Sequence, residues 1–419
     1  MRTLSSERYD DRIRSLALDL LRIDTTDGTE RPAQRRFEEA LVDAGAAEIV
    51  RWEAAPEHFE SDPAFGDIDT LDLTDRPNVA GVFEFGDPEA GKTLVLNGHM
   101  DVVPVNEASW DTDPFDPTWD GERLYARGAA DMKSGLAGLL YAVVAFRERH
   151  GDDIDGRIVV ESVVGEETGG VGTKAAVEDS PYDFQRDGVI IAEPTELGMV
   201  TATEGSLMVT VTVEGRSAHA ATRWEGESVL PHFETIRQAF LALESERNEQ
   251  VTHPLYETSP IAWPVNFGIV EAGSWASSVP AHLESDVRIG VAPGETIDAV
   301  ERAFRERLQT VVDQSDWLQS HSPTMERRDI QFIPAEVEQD VPVVRALQRS
   351  LNSHGLDSSP QGATYGADSR LFVESGIPAV VFGPGSVDRA HFPNEYIEWG
   401  EVLESIAIVA EAAHEFLTP

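Results

Sequence analysis

The sequence predicts an α/β fold with a mostly parallel sheet, in a larger domain that is discontinuous along the chain. At 419 residues the chain is long for one hydrophobic core. Predicted strands alternate with helices in the first half and again near the C-terminus, whereas the strands between these regions alternate apolar and polar residues. We therefore expect a smaller α+β domain at 207–323, inserted between parts 1–206 and 324–419 of the larger domain.

Each element is predicted from the spacing of apolar residues. In the second helix, for example, Phe37, Leu41 and Val42 are expected to face inward. Helices are predicted at 9–23, 34–46, 135–149, 234–247, 341–351 and 401–416, with another that ends at 311. Strands are predicted at 78–85, 93–97, 157–164, 188–192, 209–213, 266–271, 282–291 and 378–382.

The strand at 157–164 ends at a glycine-rich turn with two adjacent acids, Glu166 and Glu167. Open α/β sheets keep their sites at the carboxyl ends of parallel strands. Adjacent acids on a turn point in different directions, so one can bind a metal while the other acts as a base. Acid pairs are common by chance in so acidic a chain, so it is the position of this pair that favours a site.

The net charge of −43 is the most unusual property of the composition, with 76 acidic residues, 33 basic ones and only three lysines. This charge argues against binding to nucleic acid or to an anionic membrane. Molar salt would screen the repulsion over roughly 3 Å. We expect a cytoplasmic protein of a high-salt organism, because an acidic protein adapted to low salt would not explain the scarcity of lysine.

The chain has no cysteine, so a bound metal would be held by His, Asp and Glu side chains. Segment 1–15 has no apolar signal core, and no window contains about 18 uninterrupted apolar residues. We therefore expect neither a signal peptide nor a membrane span.

Five further polar residues lie just after a predicted strand or just before a predicted helix. Taken singly, each has an ordinary explanation as a structural histidine, a helix N-cap acid or a surface residue. Together they predict one site at the sheet edge. In an extended segment, residues two positions apart point the same way, so Asp101 can accept the ring N–H of His99. The five are His99, Asp101, Asp131, Glu193 and His391.

Six motifs follow one another along the chain: NGHMDVVP (97–104), RGAADMKSG (127–135), GEETGGVGT (165–173), AEPTE (192–196), GRSAHA (215–220), and GPG with AHFPNE (383–385 and 390–395). In content and order they resemble the co-catalytic zinc hydrolases, the family that includes acetylornithine deacetylase, succinyl-diaminopimelate desuccinylase, aminoacylase and carboxypeptidase G. The resemblance extends over roughly residues 13–416.

This resemblance implies that the larger domain is catalytic and that the inserted domain serves dimerisation and acts as a lid. It implies two divalent metal ions, zinc being expected and cobalt or manganese being alternatives. One metal would be bound by His99, Asp131 and Glu193. The second would be bound by Asp131, Glu167 and His391, so that Asp131 bridges the two.

The resemblance also assigns the remaining catalytic roles. Glu166 would be the general base and Asp101 the partner of His99, and the peptide bond between Asp131 and Met132 would be cis.

Other residues are implied to contact the substrate. His219 would reach the active site of a neighbouring subunit and help to hold the oxyanion, and Arg288 and Arg370 would hold a substrate carboxylate. Glu204 departs from the desuccinylase pattern and would repel a succinyl group.

We therefore expect a metal-dependent amidohydrolase that cleaves N-acyl amino acids with a water activated by two metals, as acetylornithine deacetylase does. Dipeptidase or carboxypeptidase action is the alternative within the family. A single-domain zinc aminopeptidase would lack the inserted domain, and a catalytically silent binding protein would be expected to lack a ligand or Glu166. The expected partners are a small N-acyl amino acid or short peptide and a second copy of the chain, with no nucleic acid and no membrane.

Overall fold

The computed structural model describes residues 6–26, 28–60, 62–66, 68, 71–151 and 154–418, so the first five residues of the N-terminal segment considered above lie outside it. The α-helices are α1 (Asp10–Leu21), α2 (Arg31–Asp43), α3 (Lys133–His150), α4 (Val171–Glu178), α5 (Val229–Gln250), α6 (Ile297–Asp313), α7 (Asp316–Ser320), α8 (Pro342–His354), α9 (Ser369–Glu374) and α10 (Trp399–Leu417). The strands are β1 (Glu48–Glu53), β2 (Pro77–Phe85), β3 (Lys92–His99), β4 (Thr118–Asp120), β5 (Arg123–Tyr125), β6 (Gly156–Val163), β7 (Gly188–Ile191), β8 (Met199–Thr203), β9 (Gly205–Glu214), β10 (Val265–Ala272), β11 (His282–Val291), β12 (Thr324–Arg327), β13 (Ala335–Glu336), β14 (Pro360–Ala363), β15 (Ala379–Val381) and β16 (Tyr396–Glu398).

Within the described ranges the larger sheet has nine strands, in the order β1-β2-β6-β3-β7-β15-β8-β13, with β14 beside β8. Its four central strands, β6, β3, β7 and β15, are parallel. Strands β1 and β2 on one side and β8 and β13 on the other pair antiparallel. The short link from β7 to β8 excludes a helical crossover, which explains why β8 runs antiparallel to its neighbour β15. The prediction of a mostly parallel sheet is confirmed for the four central strands, and the sheet as a whole is mixed.

Helices cover both faces of the central strands. Leu94, Ile158 and Ile190 belong to the core that contains residues of α3, α8 and α10. Their neighbours in sequence point to the opposite face, where Val95 and Val159 belong to a second cluster. Burial on both faces leaves the strand ends as the place for polar side chains.

The smaller sheet has the order β10-β11-β9-β12 and is antiparallel throughout. Its apolar face packs on α5 and α6 in a separate core. One residue, Glu204, lies between β8 of the larger sheet and β9 of the smaller one. Strand β12 (Thr324–Arg327) pairs with β9, so the smaller sheet continues beyond the predicted boundary at 323. The domain boundaries themselves stay a prediction.

Two local predictions have opposite outcomes. Phe37 and Leu41 are buried as predicted, but Val42 is 56% exposed, so its inward position was wrong. Successive helical residues are rotated by about 100°, which turns Val42 away from the face that Phe37 and Leu41 share. The peptide bond between Asp131 and Met132 is cis, which confirms that prediction.

None of the described helices combines the length and the apolar character needed to cross a bilayer.

Candidate active site

The carboxyl ends of three neighbouring parallel strands bring the candidate residues together. Strand β3 ends at His99, β6 leads into the turn with Glu166 and Glu167, and Glu193 follows β7. Asp131 comes just before the first turn of α3. The side chains meet because the carboxyl ends of parallel strands lie at one edge of the sheet.

Two groups of potential ligand atoms share Asp131. Nε2 of His99 lies 3.0 Å from Asp131 Oδ1 and 3.8 Å from Glu193 Oε1. Nε2 of His391 lies 3.4 Å from Asp131 Oδ2 and 3.1 Å from Glu167 Oε2. In each group the atoms lie within 4.8 Å of one another. The structure therefore brings the five predicted ligands together in the two predicted sets.

The carboxyl groups of this cluster are crowded and poorly solvated. Burial raises the pKa of Glu193, and the Asp131 carboxylate raises it further. Burial and Asp131 also raise the pKa of Glu167. Oε1 of Glu193 is buried and has no hydrogen-bond partner in the described part of the chain. Imidazole nitrogens and carboxylate oxygens are ligands that zinc accepts, so a divalent cation fits this donor set and would relieve the repulsion.

The two histidines respond to the same negative field. Hydrogen bonds with Asp131 and Glu167 raise the pKa of His391 to about 10. Burial works to lower the pKa of His99, but Glu193 and Asp131 outweigh it and raise that pKa. The pKa of Asp131 is lowered, because hydrogen bonds from both histidines outweigh the effect of its burial. The cluster thus favours positive charge at the positions of the two rings.

Asp101 holds the turn that carries the adjacent acids. Its Oδ1 accepts hydrogen bonds from the N–H groups of Gly165 (2.8 Å) and Glu166 (3.3 Å), and its Oδ2 accepts one from Glu167 (3.0 Å). Nδ1 of His99 lies 2.9 Å from the backbone carbonyl of Asp101 and 3.7 Å from its carboxylate. The expected contact of the ring with the carboxylate is therefore corrected, since the carboxylate is engaged by three backbone donors. Asp101 thus contacts the histidine through its backbone carbonyl and the acidic turn through its carboxylate.

Glu395 is a residue whose role the sequence did not predict, although it lies in the motif AHFPNE. Its buried carboxylate accepts hydrogen bonds from the N–H groups of Gly128 (3.1 Å), Ala130 (2.8 Å) and Asp131 (3.1 Å). The guanidinium of Arg127 donates a fourth at 2.6 Å. Glu395 therefore ties the loop that presents the shared carboxylate to the loop that carries the second candidate histidine.

A cavity of about 520 Å³ opens beside Glu166, between the turn after β6 and residues of the smaller sheet. Arg288 of β11 is the one residue among its described lining that has a permanent positive charge, and it donates a hydrogen bond of 3.0 Å to Glu204. Tyr365 also lines the cavity, and its hydroxyl makes no hydrogen bond within the described residues; the sequence did not single it out. The cavity can accommodate a small substrate next to the candidate base.

Two predicted residues lie away from this cavity. Arg370 is buried, donates a hydrogen bond of 2.7 Å to the carbonyl of Gly169 and stacks on Phe332 at 4.1 Å from the ring centroid. His219 is exposed on the inserted segment, where its Nδ1 accepts a hydrogen bond from the N–H of Ala221. Neither side chain is part of the described lining of the cavity, and their roles stay predictions.

Comparison with known proteins identifies the family. Residues 95–415 match the model of Peptidase family M20/M25/M40, which is more than half of the chain. The chain belongs to Peptidase family M20/M25/M40. This M20 protein is therefore a hydrolase of amide bonds, and the resemblance inferred from the motifs is confirmed.

Curated relatives of this M20 protein differ in substrate. It is 27% identical over 357 residues to N-formyl-4-amino-5-aminomethyl-2-methylpyrimidine deformylase of Bacillus subtilis, covering 80% of this chain and 82% of the relative. It is 25% identical to acetylornithine deacetylase of Pectobacterium atrosepticum, covering 86% and 87%. Human carnosine dipeptidase 1 has the same fold, with a TM-score of 0.75 at 18% identity over 99% of this chain and 98% of that chain.

Proposed function

We propose that this protein is a metal-dependent amidohydrolase that removes the acyl group from N-acyl amino acids. The observation that supports it best is the pair of ligand groups that share Asp131 beside the cavity with Glu166. Two divalent cations held there would polarise the amide carbonyl and lower the pKa of a water molecule.

The chain's own residues have distinct proposed roles in binding the ions. His99, Asp131 and Glu193 would hold one cation, and Asp131, Glu167 and His391 the other. Zinc is the expected metal because the donors are imidazole nitrogens and carboxylate oxygens, with cobalt or manganese as alternatives.

Glu166 is proposed to move the proton. Its carboxylate would accept a proton from the attacking water and pass it to the nitrogen of the leaving amine. Burial and the nearby carboxylates of Glu193 and Asp368 raise the pKa of Glu166, which suits a group that must both take and release a proton. The three hydrogen bonds to Asp101 keep the turn in place while this happens.

We also propose a homodimer in which the inserted segment forms the contact. Trp224 is 73% exposed and Trp275 is 72% exposed, and Ile269 and Val270 are half-exposed on the edge strand β10. Exposed apolar surface of this kind marks interaction sites. A second copy would then supply His219 to the cavity of the first, since His219 is exposed and is not part of the described cavity lining of its own chain.

A mixing experiment tests this arrangement. Glu166→Gln and His219→Gln are each expected to be inactive, and refolding them together should restore hydrolysis because a mixed dimer contains one intact site. A mixture that stays as inactive as its components, although sedimentation shows dimers, would exclude His219 acting across subunits.

The reaction itself is tested with a substrate panel. The zinc-loaded protein is incubated in molar KCl with N-acetyl-L-ornithine, other N-acetyl and N-succinyl amino acids, and dipeptides. N-acetyl amino acids should be cleaved, activity should vanish with a strong chelator and return with zinc, and Glu166→Gln should stay inactive. Hydrolysis that survives complete metal removal would refute the mechanism.

A second candidate substrate is an N-formylated heteroaromatic amine. Leu71, Ile330 and Phe332 give the cavity an apolar wall that would suit an aromatic ring, and the Bacillus relative acts on a formylated aminopyrimidine. Adding that compound to the panel distinguishes the two candidate substrates, since its kcat/KM can be compared directly with that of the N-acetyl amino acids.

A further inference from the structure

Glu204 occupies an unusual position for a carboxylate. It is the single residue between the larger and the smaller sheet, and it is 0% exposed. Its side chain packs so closely on Gly290 of β11 that a methyl group at that glycine would collide with Oε1. A buried carboxylate in an apolar setting is costly unless it is paired, so a partner is to be expected.

That partner is Arg288, which donates from Nη1 to Oε1 of Glu204 at 3.0 Å. The other oxygen, Oε2, is buried and has no hydrogen-bond partner in the described part of the chain. Arg247 of α5 also faces the carboxylate, but it is paired with Glu295 at 2.5 Å. The remaining neighbour is the hydroxyl of Tyr256, which donates to two backbone carbonyls.

The pair extends from the buried junction to the substrate cavity. The Arg288 side chain is 27% exposed and lines the cavity that also contains Glu166. Because no other described lining residue has a permanent positive charge, Arg288 would be the natural contact for a substrate carboxylate. A carboxylate fixed against its guanidinium cancels most of that attraction, and low solvent access keeps water from screening the effect.

We propose that Glu204 sets the selectivity of this site between substrates with and without a free carboxylate, by cancelling the charge of Arg288 in the cavity wall. The inference rests on the proposed amide hydrolysis and specifies its substrate class. N-acyl compounds without a carboxylate should be accepted about as well as N-acyl amino acids while Glu204 is ionised.

The protonation state of Glu204 gives an internal check. Burial raises its pKa to about 8, against the lowering effect of Arg288. At pH 9 the carboxylate is therefore ionised and the pair is neutral. At pH 6.5 the carboxyl group is protonated, and the charge of Arg288 is free to attract a substrate carboxylate.

The experiment measures a selectivity ratio, the kcat/KM of the best N-acetyl-L-amino acid of the panel divided by that of its carboxamide. Effects of pH on the chemical step are common to both substrates and cancel in the ratio, and Glu204→Gln reports any effect that other titrating groups have on the charged substrate alone. At pH 9, Glu204→Gln should raise the ratio about tenfold over the wild type, because a full charge is removed within a few ångströms of the guanidinium. In the wild type the ratio should rise by about the same factor from pH 9 to pH 6.5, and in Glu204→Gln it should not change.

The matched control is the double variant Glu204→Gln/Arg288→Gln, which keeps the net charge of the pair and the side-chain length at position 204 and removes the guanidinium. Its ratio at pH 9 should stay within about threefold of the wild type. A tenfold loss of the ratio in the double variant would show that Arg288 already binds a substrate carboxylate, and would overturn the proposal. So would an unchanged ratio in a Glu204→Gln protein whose circular dichroism matches the wild type.

Failure of the proposed function has a different signature, namely a wild-type protein that hydrolyses no member of the panel. In that case the same ratio is taken from the Kd values of the N-acetyl amino acid and its carboxamide by calorimetry. The same shifts between variants are expected, and their absence would overturn the inference.

Discussion

Replacing Glu395 by Gln tests whether the loop that carries Asp131 depends on one buried carboxylate. The carboxylate accepts four hydrogen bonds, two at each oxygen. An amide in its place keeps one accepting oxygen and turns an NH2 group towards two donors. Losing two bonds to a charged group, with Arg127 left without its charged partner in a buried position, should cost about 3–5 kcal/mol. For a domain of about 300 residues this corresponds to a fall of roughly 5–8 °C in the melting midpoint.

The control is Glu398→Gln, the same chemical change three residues further along. Glu398 pairs with Arg123 at 2.7 Å, but both side chains are about half exposed, so its loss should change the stability little. Calorimetric melting and zinc titration are compared for both variants. Zinc affinity should fall about 10–100-fold in Glu395→Gln, as for other residues that orient a ligand. Equal melting midpoints and equal zinc affinities in the two variants would refute the reasoning.

The other predictions concern the base, the net charge and the pH dependence of stability. Glu166→Gln should lower kcat by about 10²–10⁴-fold with zinc binding by calorimetry unchanged, and a loss of zinc binding would contradict its role as base. The melting temperature should rise from dilute to molar KCl, because 76 acidic residues face only 33 basic ones, and an unchanged value would contradict this. The pKa of Glu204 is about 8 in the folded chain, against an ordinary value of 4.5. At a pH between these two values the folded state therefore holds a proton that the unfolded state has released. Its contribution to the free energy of unfolding is therefore present below about pH 4.5 and lost as the pH rises through 8. Denaturant unfolding at pH 5 and pH 9 should show the wild type losing more stability than Glu204→Gln, and an equal loss would contradict the assignment.

Local sequence was sufficient to predict the four central parallel strands and the polar residues at their ends, whereas eight shorter or peripheral strands, β1 and β8 among them, were not predicted. The ends of apolar runs mark where the parallel strands end, at a glycine before His99 and Glu167 and at Ala192 before Glu193. Because the carboxyl ends of parallel strands share an edge, convergence at one site follows from the order of elements. The motifs added the identity of the family.

Contacts between distant segments could not be predicted in this way. Arg127 and Glu395 are 268 residues apart, and nothing in the periodicity of either segment pairs them. The same holds for Arg288 and Glu204, 84 residues apart, and for the burial of Arg370 behind Phe332. For Asp101 the sequence indicated the correct partner but not that its carbonyl, rather than its carboxylate, contacts the His99 ring. Sequence by itself determined which residues lie at the sheet edge, because strand ends are local; tertiary structure alone decided which of their atoms meet, because that depends on packing between segments far apart in the chain.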